Sequence, residues 1–346
     1  MTRQPLENQT LYAELLEQLL TWERLRSIGS LEGSFVSKQL KGERYLYFQY
    51  YEPGGAKRQL YVGRQTPELD ALAAAYRAER QALADDLLNI QRLAAQLRVG
   101  GALLTDHPSA RVIRQMAESG VFRLGGVLVG THAYVVLGNL LGMVWEHAAT
   151  RTRDIDIAAG RGPVVNAIAF AIPPLEVDLP AALDSLKMGF FPIPQLDCRR
   201  PSTSFMIRGN VLRVDILTPA IKQQRDEPIY IPRFKVAAQP LPFLDYLIEA
   251  AVPAVVVDGG GILVNVPHPA RYAVHKLIVA QERSVESQAK KHKDIFQSWQ
   301  LLAFLKAERP GDIPLALESA TSRGPGWRKR IDAGLAAIQE QYGWTI

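Results

Sequence analysis

Asp154 and Asp156, one residue apart in the segment Arg153-Asp-Ile-Asp-Ile157, are the residues of this chain whose type and spacing most directly suggest chemistry. The isoleucines beside them mark a strand. Strand side chains alternate faces, so both carboxylates project from one side while Arg153, Ile155 and Ile157 project from the other. Two like charges in one small volume raise each other's pKa unless something positive sits there, and a divalent cation is the economical solution. Oxygen-only ligands suit Mg²⁺ or Mn²⁺. A third acid, Asp215, falls in the run from Phe205 to Leu217, where Gly209-Asn210 is expected to turn a hairpin with Asp215 on its second strand. Three carboxylates on neighbouring strands can hold two metals.

Upstream, the apolar run Val127-Leu128-Val129 ends at Gly130-Thr131 and gives way to a helix-like segment. A glycine closing a strand lets the backbone approach a ligand closely, and the start of the following helix offers unpaired N–H groups to an anion, so a phosphate fits there. His132 follows at once, and a histidine at a helix start is expected to be polar and part-exposed. Asn139, Trp145, Glu146 and His147 fall in the connection to Asp154, read as an extended flap without assigned chemistry.

Glycine step, acid-x-acid pair and later third acid, in that order, resemble the DNA polymerase beta-like nucleotidyltransferase superfamily. The nearer resemblance is to its bacterial branch of abortive-infection and toxin-type nucleotidyltransferases, in which a lysine-bearing helix and a Lys-Asp pair follow the core. His275-Lys276-Leu277, Arg283 and Lys293-Asp294 are similar to that tail, Thr131 stands where the family usually has serine, and the stretch from Gly130 to Asp154 is longer than usual. The resemblance spans roughly Gly120 to Gln300. It implies that Asp154, Asp156 and Asp215 hold the metal. It further implies that Gly130, Thr131, Lys276, Arg283 and Asp294 contact a nucleoside triphosphate, and that Asp154, Asp156, Asp215 and Lys276 are catalytic. A lysine among Tyr272, Leu277 and Val279 has a commoner fate as well, its stem along the core and its head in water.

At 346 residues and 47% apolar content the chain has ample material for buried cores. Its start, Met1-Thr-Arg-Gln-Pro5, lacks the basic-then-apolar pattern of a secretory signal, and no apolar run reaches membrane-spanning length. One cysteine, Cys198, excludes an internal disulfide framework, so a cytoplasmic location is expected. Cys198 has no evident base partner and is read as a buried or idle thiol. A net charge of +5 and a pI near 9.2 suit a polyanionic partner, a nucleotide or a nucleic acid.

Taken in order, the chain opens with an amphipathic helix from Leu11 to Leu25, ended by Gly29. Three β-rich runs follow, Ser34–Leu40, Tyr45–Tyr51 and Gln59–Val62, punctuated by Lys41-Gly42 and Pro53-Gly54-Gly55. Their tyrosines alternate with lysines and arginines, a mix that packs a sheet or stacks the bases of a nucleic acid. One long helix is expected from Pro67 to Leu97, another from Pro108 to Ser119 stopped by Gly120, and a helix-like stretch from Pro180 to Met188. Arg213 shares the Asp215 face, where it either pairs with the acids or meets the nucleotide. Asp258-Gly-Gly-Gly261 sits between two strands and reads as a turn rather than a phosphate loop. From Pro269 the chain is helical, with Arg283 two turns after Lys276, and Trp327-Arg-Lys-Arg330 is a minor basic patch.

The expected architecture is therefore α+β: an accessory unit at 1–100 with a helix, a β-meander and a long helix; a nucleotidyltransferase core with a mixed sheet at 101–266; and a helical C-terminal unit at 267–346. The expected reaction moves a nucleoside monophosphate from an NTP to an acceptor hydroxyl on RNA, protein or a small molecule, with release of pyrophosphate. The rival is a non-catalytic nucleic-acid-binding protein that keeps the fold. Neither the acceptor nor the oligomeric state can be read from sequence.

Overall fold

The computed structural model describes residues 1–25, 30–51, 56–146, 152–160, 176–209, 212–221 and 227–346. Gly29, Pro53-Gly54-Gly55, His147 and Asn210, each singled out above, lie outside the described residues. The chain begins with β1 (Thr2–Arg3), α1 (Leu6–Arg24), β2 (Ser34–Leu40), β3 (Glu43–Tyr51), β4 (Lys57–Arg64), α2 (Pro67–Ala82), α3 (Ala84–Val99) and α4 (His107–Ser119). Its middle supplies β5 (Gly126–Val129), α5 (Gly130–Leu140), β6 (Met143–Val144), β7 (Asp154–Ala159), α6 (Leu179–Ser185), β8 (Phe190–Pro192), β9 (Ser204–Ile207) and β10 (Arg213–Pro219). It closes with β11 (Ile229–Ile231), β12 (Val236–Leu241), α7 (Leu244–Ile248), β13 (Ala251–Val256), β14 (Ile262–Pro267), α8 (Pro269–Gln281), α9 (Gln288–Glu308), α10 (Asp312–Thr321) and α11 (Pro325–Tyr342).

A seven-stranded sheet in the order β11-β12-β10-β7-β5, with β9 and β8 added beyond β10, positions the acids. It is mixed: β7 runs parallel to β10 and antiparallel to β5, and β10 runs parallel to β12. The alternation in β7 explains its place, because Ile155 and Ile157 are fully buried on one face while Asp154 and Asp156 use the other. The fold is α+β, as the residue pattern led one to expect.

One continuous apolar core runs from α4 and β5 through the sheet to Leu277, Leu301 and Ile338 of the C-terminal helices. A second, smaller core joins Tyr12, Leu15 and Leu19 of α1 to Ile90, Leu93 and Leu97 of α3 and to Val255 of β13. The Tyr12 hydroxyl accepts from the Val255 N–H at 2.8 Å, so the N-terminal helix is tied to a distant hairpin. That hairpin is the expected one, β13 pairing antiparallel with β14 across the glycine turn.

Several expectations need correction. The stretch from Pro67 to Leu97 is two helices, α2 and α3, meeting at Leu83. The break lets one apolar stripe serve two partners: Tyr76 of α2 packs edge-on against Phe35 and Phe48 of the meander, whereas Ile90 and Leu97 face α1. Nor do the described residues of the expected flap behave as one. Asn139 is buried and bonds both the N–H and the carbonyl of Leu103 at 2.8 Å, and buried Trp145 stacks on Tyr134 with ring centroids 4.9 Å apart. Cys198 is exposed rather than buried. Arg330 of the basic patch pairs with Glu282, and Trp327 packs on Phe243 and Tyr246. Among the described residues no helix is long and apolar enough to cross a membrane.

Candidate active site

The register between β7 and β10 pairs Asp154 with Arg213 and Asp156 with Asp215. Directly opposed residues of neighbouring strands share a face, so all three acids stand on one side of the sheet. Asp154, at the strand's open end, is exposed, and Asp156 is half-buried. Burial, then the charges of Asp215 and Asp154, push the Asp156 carboxyl up to about 6, against the pull of Lys276 and Arg213. A carboxylate so placed lacks positive charge.

Asp215 already has some. Its Oδ1 accepts from Arg213 Nε at 2.8 Å and from the Ser204 hydroxyl, and Arg213 Nη2 also reaches Ser204 Oγ at 3.1 Å. The ion-pair reading of Arg213 thus holds in this structure. Among the described residues no group of three acidic, histidine or cysteine side chains is drawn together as a metal site would be, and Asp215 is engaged with this arginine and serine.

The glycine step lies against the acids. β5 pairs with β7 so that Val129 opposes Asp156, and Gly130 follows at φ +66, a left-handed backbone that side chains rarely adopt. A methyl added to Gly130 would sit 2.1 Å from Asp156 Oδ2. Any side chain here would force the Asp156 carboxylate to shift and would strain the backbone. α5 begins at Gly130 itself, so its first-turn amides lie where a helix start able to receive an anion was expected. His132 is buried rather than part-exposed, burial pushes it down to about 4, and its Nε2 has no hydrogen-bond partner among the described residues.

From the other side, the C-terminal helices reach the same place. The Tyr272 hydroxyl of α8 donates to the Gly130 carbonyl at 2.8 Å, and Lys276, one turn on, lies 5.4 Å from the Tyr272 ring centroid. Lys276 Nζ donates to Asp294 Oδ1 at 2.6 Å, and Arg283 meets Asp294 Oδ2 at 2.9 Å. Arg283 lies beyond the end of α8, not on its face; it joins Lys276 through the shared carboxylate of α9. Burial would raise the Asp294 carboxyl, but Lys276 and Arg283 hold it below its ordinary value.

Two neighbours of the site escaped the residue pattern. Lys293, read only as half of a Lys-Asp pair, is close enough to Asp154 and Asp156 for both to pull its pKa upward, although burial and Lys276 leave it lowered. Tyr272 looked like core packing and is the clamp on the glycine step. Helical spacing could have flagged it, because Tyr272 and Lys276 are four apart and share a face.

Of the residues expected at the site, Asp154, Asp156, Asp215 and Gly130 are brought together directly, and Lys276 acts on Asp156 across a short space. Arg283 and Asp294 are attached to the group through Lys276, and Thr131 opens α5 beside it. The donor set fits a divalent cation: carboxylate oxygens only, one of them starved of positive charge. A family model described as a nucleotidyltransferase matches residues 107–322, more than half of the chain and all of these positions. No curated protein and no solved structure matches.

Proposed function

The chain belongs to that nucleotidyltransferase family, and on this premise we propose that it moves a nucleoside monophosphate from an NTP to an acceptor hydroxyl, releasing pyrophosphate, with the acid face of β7 and β10 as its centre. It is a transferase, so the reading of an idle fold that only binds nucleic acid gives way. Mg²⁺ or Mn²⁺, when bound, supplies charge neutralisation at the attacking and leaving oxygens. In this proposal Asp154 and Asp156 hold the metal, and Asp215 joins them on release from Arg213 and helps the acceptor hydroxyl lose its proton. Gly130, Thr131 and the start of α5 receive the outer phosphates through backbone N–H groups. Lys276 faces the charge that develops on the leaving pyrophosphate, and Arg283 and Asp294 orient it.

The observation that carries the reading is the alignment of Asp156 with Asp215 beside a glycine whose backbone touches the Asp156 carboxylate. That closeness supports the reading, because amides that could receive phosphates would lie within one substrate's length of oxygens that could hold a metal. The three-unit division, at 1–100, 101–266 and 267–346, the likeness to the toxin-type branch and a cytoplasmic location belong to the same proposal. Pyrophosphate release from each of the four NTPs with Mg²⁺ and total RNA tests it. Release that disappears in Asp156→Asn and Asp215→Asn is expected, and release by both variants at the wild-type rate would end the assignment.

A further inference from the structure

We propose that the open face of the β2-β3-β4 sheet binds single-stranded RNA by stacking bases on its tyrosines. The two faces of this meander differ sharply. One is closed: Phe35 and Phe48 meet at 5.1 Å and pack edge-on against Tyr76 of α2, with Leu46 buried on the same side. The other carries Tyr45 and Tyr47, which pair across the strands with Lys38 and Val36 of β2, and Tyr47 pairs with Tyr61 of β4.

On that second face the rings form a connected platform. Tyr61 lies 5.6 Å from Tyr47 and 6.1 Å from Tyr45, and it is 55% exposed. Lys38 Nζ stands 5.0 Å over the Tyr47 ring, and Lys57 and Arg64 flank the platform at its two ends. Among the described residues the ring contacts, hydrogen bonds and ion pairs of Tyr45, Tyr47, Tyr61 and Lys38 run within the sheet. Its one described acid, Glu43, is already shared by Arg64 and the Tyr45 hydroxyl.

Tyr61 is exposed and Tyr45 and Tyr47 are half-buried on this outer side, so the rings support one another across the strands and still present an aromatic surface that a ligand can cover. Flat rings spaced along strands suit flat bases, because every base has a π-face, and the lysines and arginine complement phosphates. Gln49 and Gln59 hydrogen-bond each other at 3.0 Å between the tyrosines and the exposed strand ends. Their amides offer a donor and an acceptor to a ribose 2′-hydroxyl, the group that separates RNA from DNA. The matched family region, residues 107–322, does not include this sheet, so the binding role is additional to the transferase centre. That such an RNA is also the acceptor of transfer rests on the function proposed above.

The test is fluorescence anisotropy of a labelled mixed-sequence single-stranded RNA on the full chain, without NTP or metal. Binding that weakens steeply with salt is expected, falling about tenfold or more in Tyr47→Leu/Tyr61→Leu, the scale of lost base stacking. Leucine keeps the strands apolar, and circular dichroism establishes that the variant is folded; Lys38→Gln gives a second, milder loss. Absence of binding by the wild type, unchanged binding by the folded double variant, or equal affinity for DNA of the same sequence would overturn the proposal. Asp156→Asn separates the two readings: it should bind RNA as the wild type does while transferring nothing.

Discussion

Asp156 on β7 and Asp294 on α9 are both carboxylates drawn away from water, and Lys276 acts on both, yet their protons are held in opposite senses. Burial alone would raise each. At Asp294 one acid meets two cations, Lys276 and Arg283, and the sum lies below the ordinary value. At Asp156 three acids share the electrostatic pull of Lys276 and Arg213, while the direct ion pair belongs to Asp215, and the sum lies above it. The same side chain is therefore a satisfied structural anchor in one place and a site short of positive charge in the other. Function is to be sought where the charge does not balance.

Exchanging each acid for its amide gives the sharpest break between them. Asp156→Asn should lower nucleotidyl transfer on the order of a thousandfold and leave the fold intact. Asp294→Asn should instead lose on the order of 3 kcal/mol of unfolding free energy, because it leaves Lys276 and Arg283 without their partner. Turnover and urea unfolding on both variants decide the matter; a destabilised Asp156→Asn or an unaffected Asp294→Asn would erase the distinction.

Gly130→Ala should follow in size. Its methyl collides with Asp156 Oδ2 and its φ of +66 is strained for alanine, so turnover should fall about a hundredfold and stability by about 1–2 kcal/mol. A fully active alanine variant would mean that the glycine step does not govern the acid.

Lys276 touches both regions and can be divided between them. Lys276→Met should reduce transfer about ten- to a hundredfold, and also lower the melting temperature by leaving Asp294 with one cation. Adding Asp294→Asn should restore stability without restoring turnover. If turnover returns as well, the lysine serves the ion pair alone.

The smallest effect is in pH. A carboxyl raised to about 6 from an ordinary 3.8 contributes stability that is fully present below pH 3.8 and lost as pH rises through 6. The depressed Asp294 contributes stability present above its ordinary value and lost only as pH falls below it, so it is constant over that window. Metal-free wild type should therefore lose roughly 1–3 kcal/mol relative to Asp156→Asn between about pH 4 and pH 6. Parallel curves for the two proteins would remove the charge deficit.

The acids, the glycine step and the hairpin bearing Asp215 were legible because each rests on local alternation: β-branched neighbours, a strand end, a turn. The strands β11 and β12 were not, since β12 takes its place by parallel pairing with β10 and β11 only by pairing with β12, a crossover that leaves no local signal. Asn139 and Trp145 misled for the same reason. Their partners, Leu103 and Tyr134, come from other elements, and a polar-aromatic run looks like surface until those partners are seen. The apolar stripe from Pro67 to Leu97 had helical period throughout, but period does not reveal that its halves face different neighbours. Arg283 was legible as a cation near Lys276 and illegible as a residue past the helix end.

The hydrogen bond from Tyr272 to the Gly130 carbonyl joins positions 142 apart in sequence. During synthesis Gly130 and all three aspartates emerge from the ribosome well before the Tyr272 hydroxyl that holds the glycine, and before the helices that carry Lys276 and Asp294. Polypeptides released early, ending ahead of Tyr272, would contain every proposed metal ligand and transfer nothing.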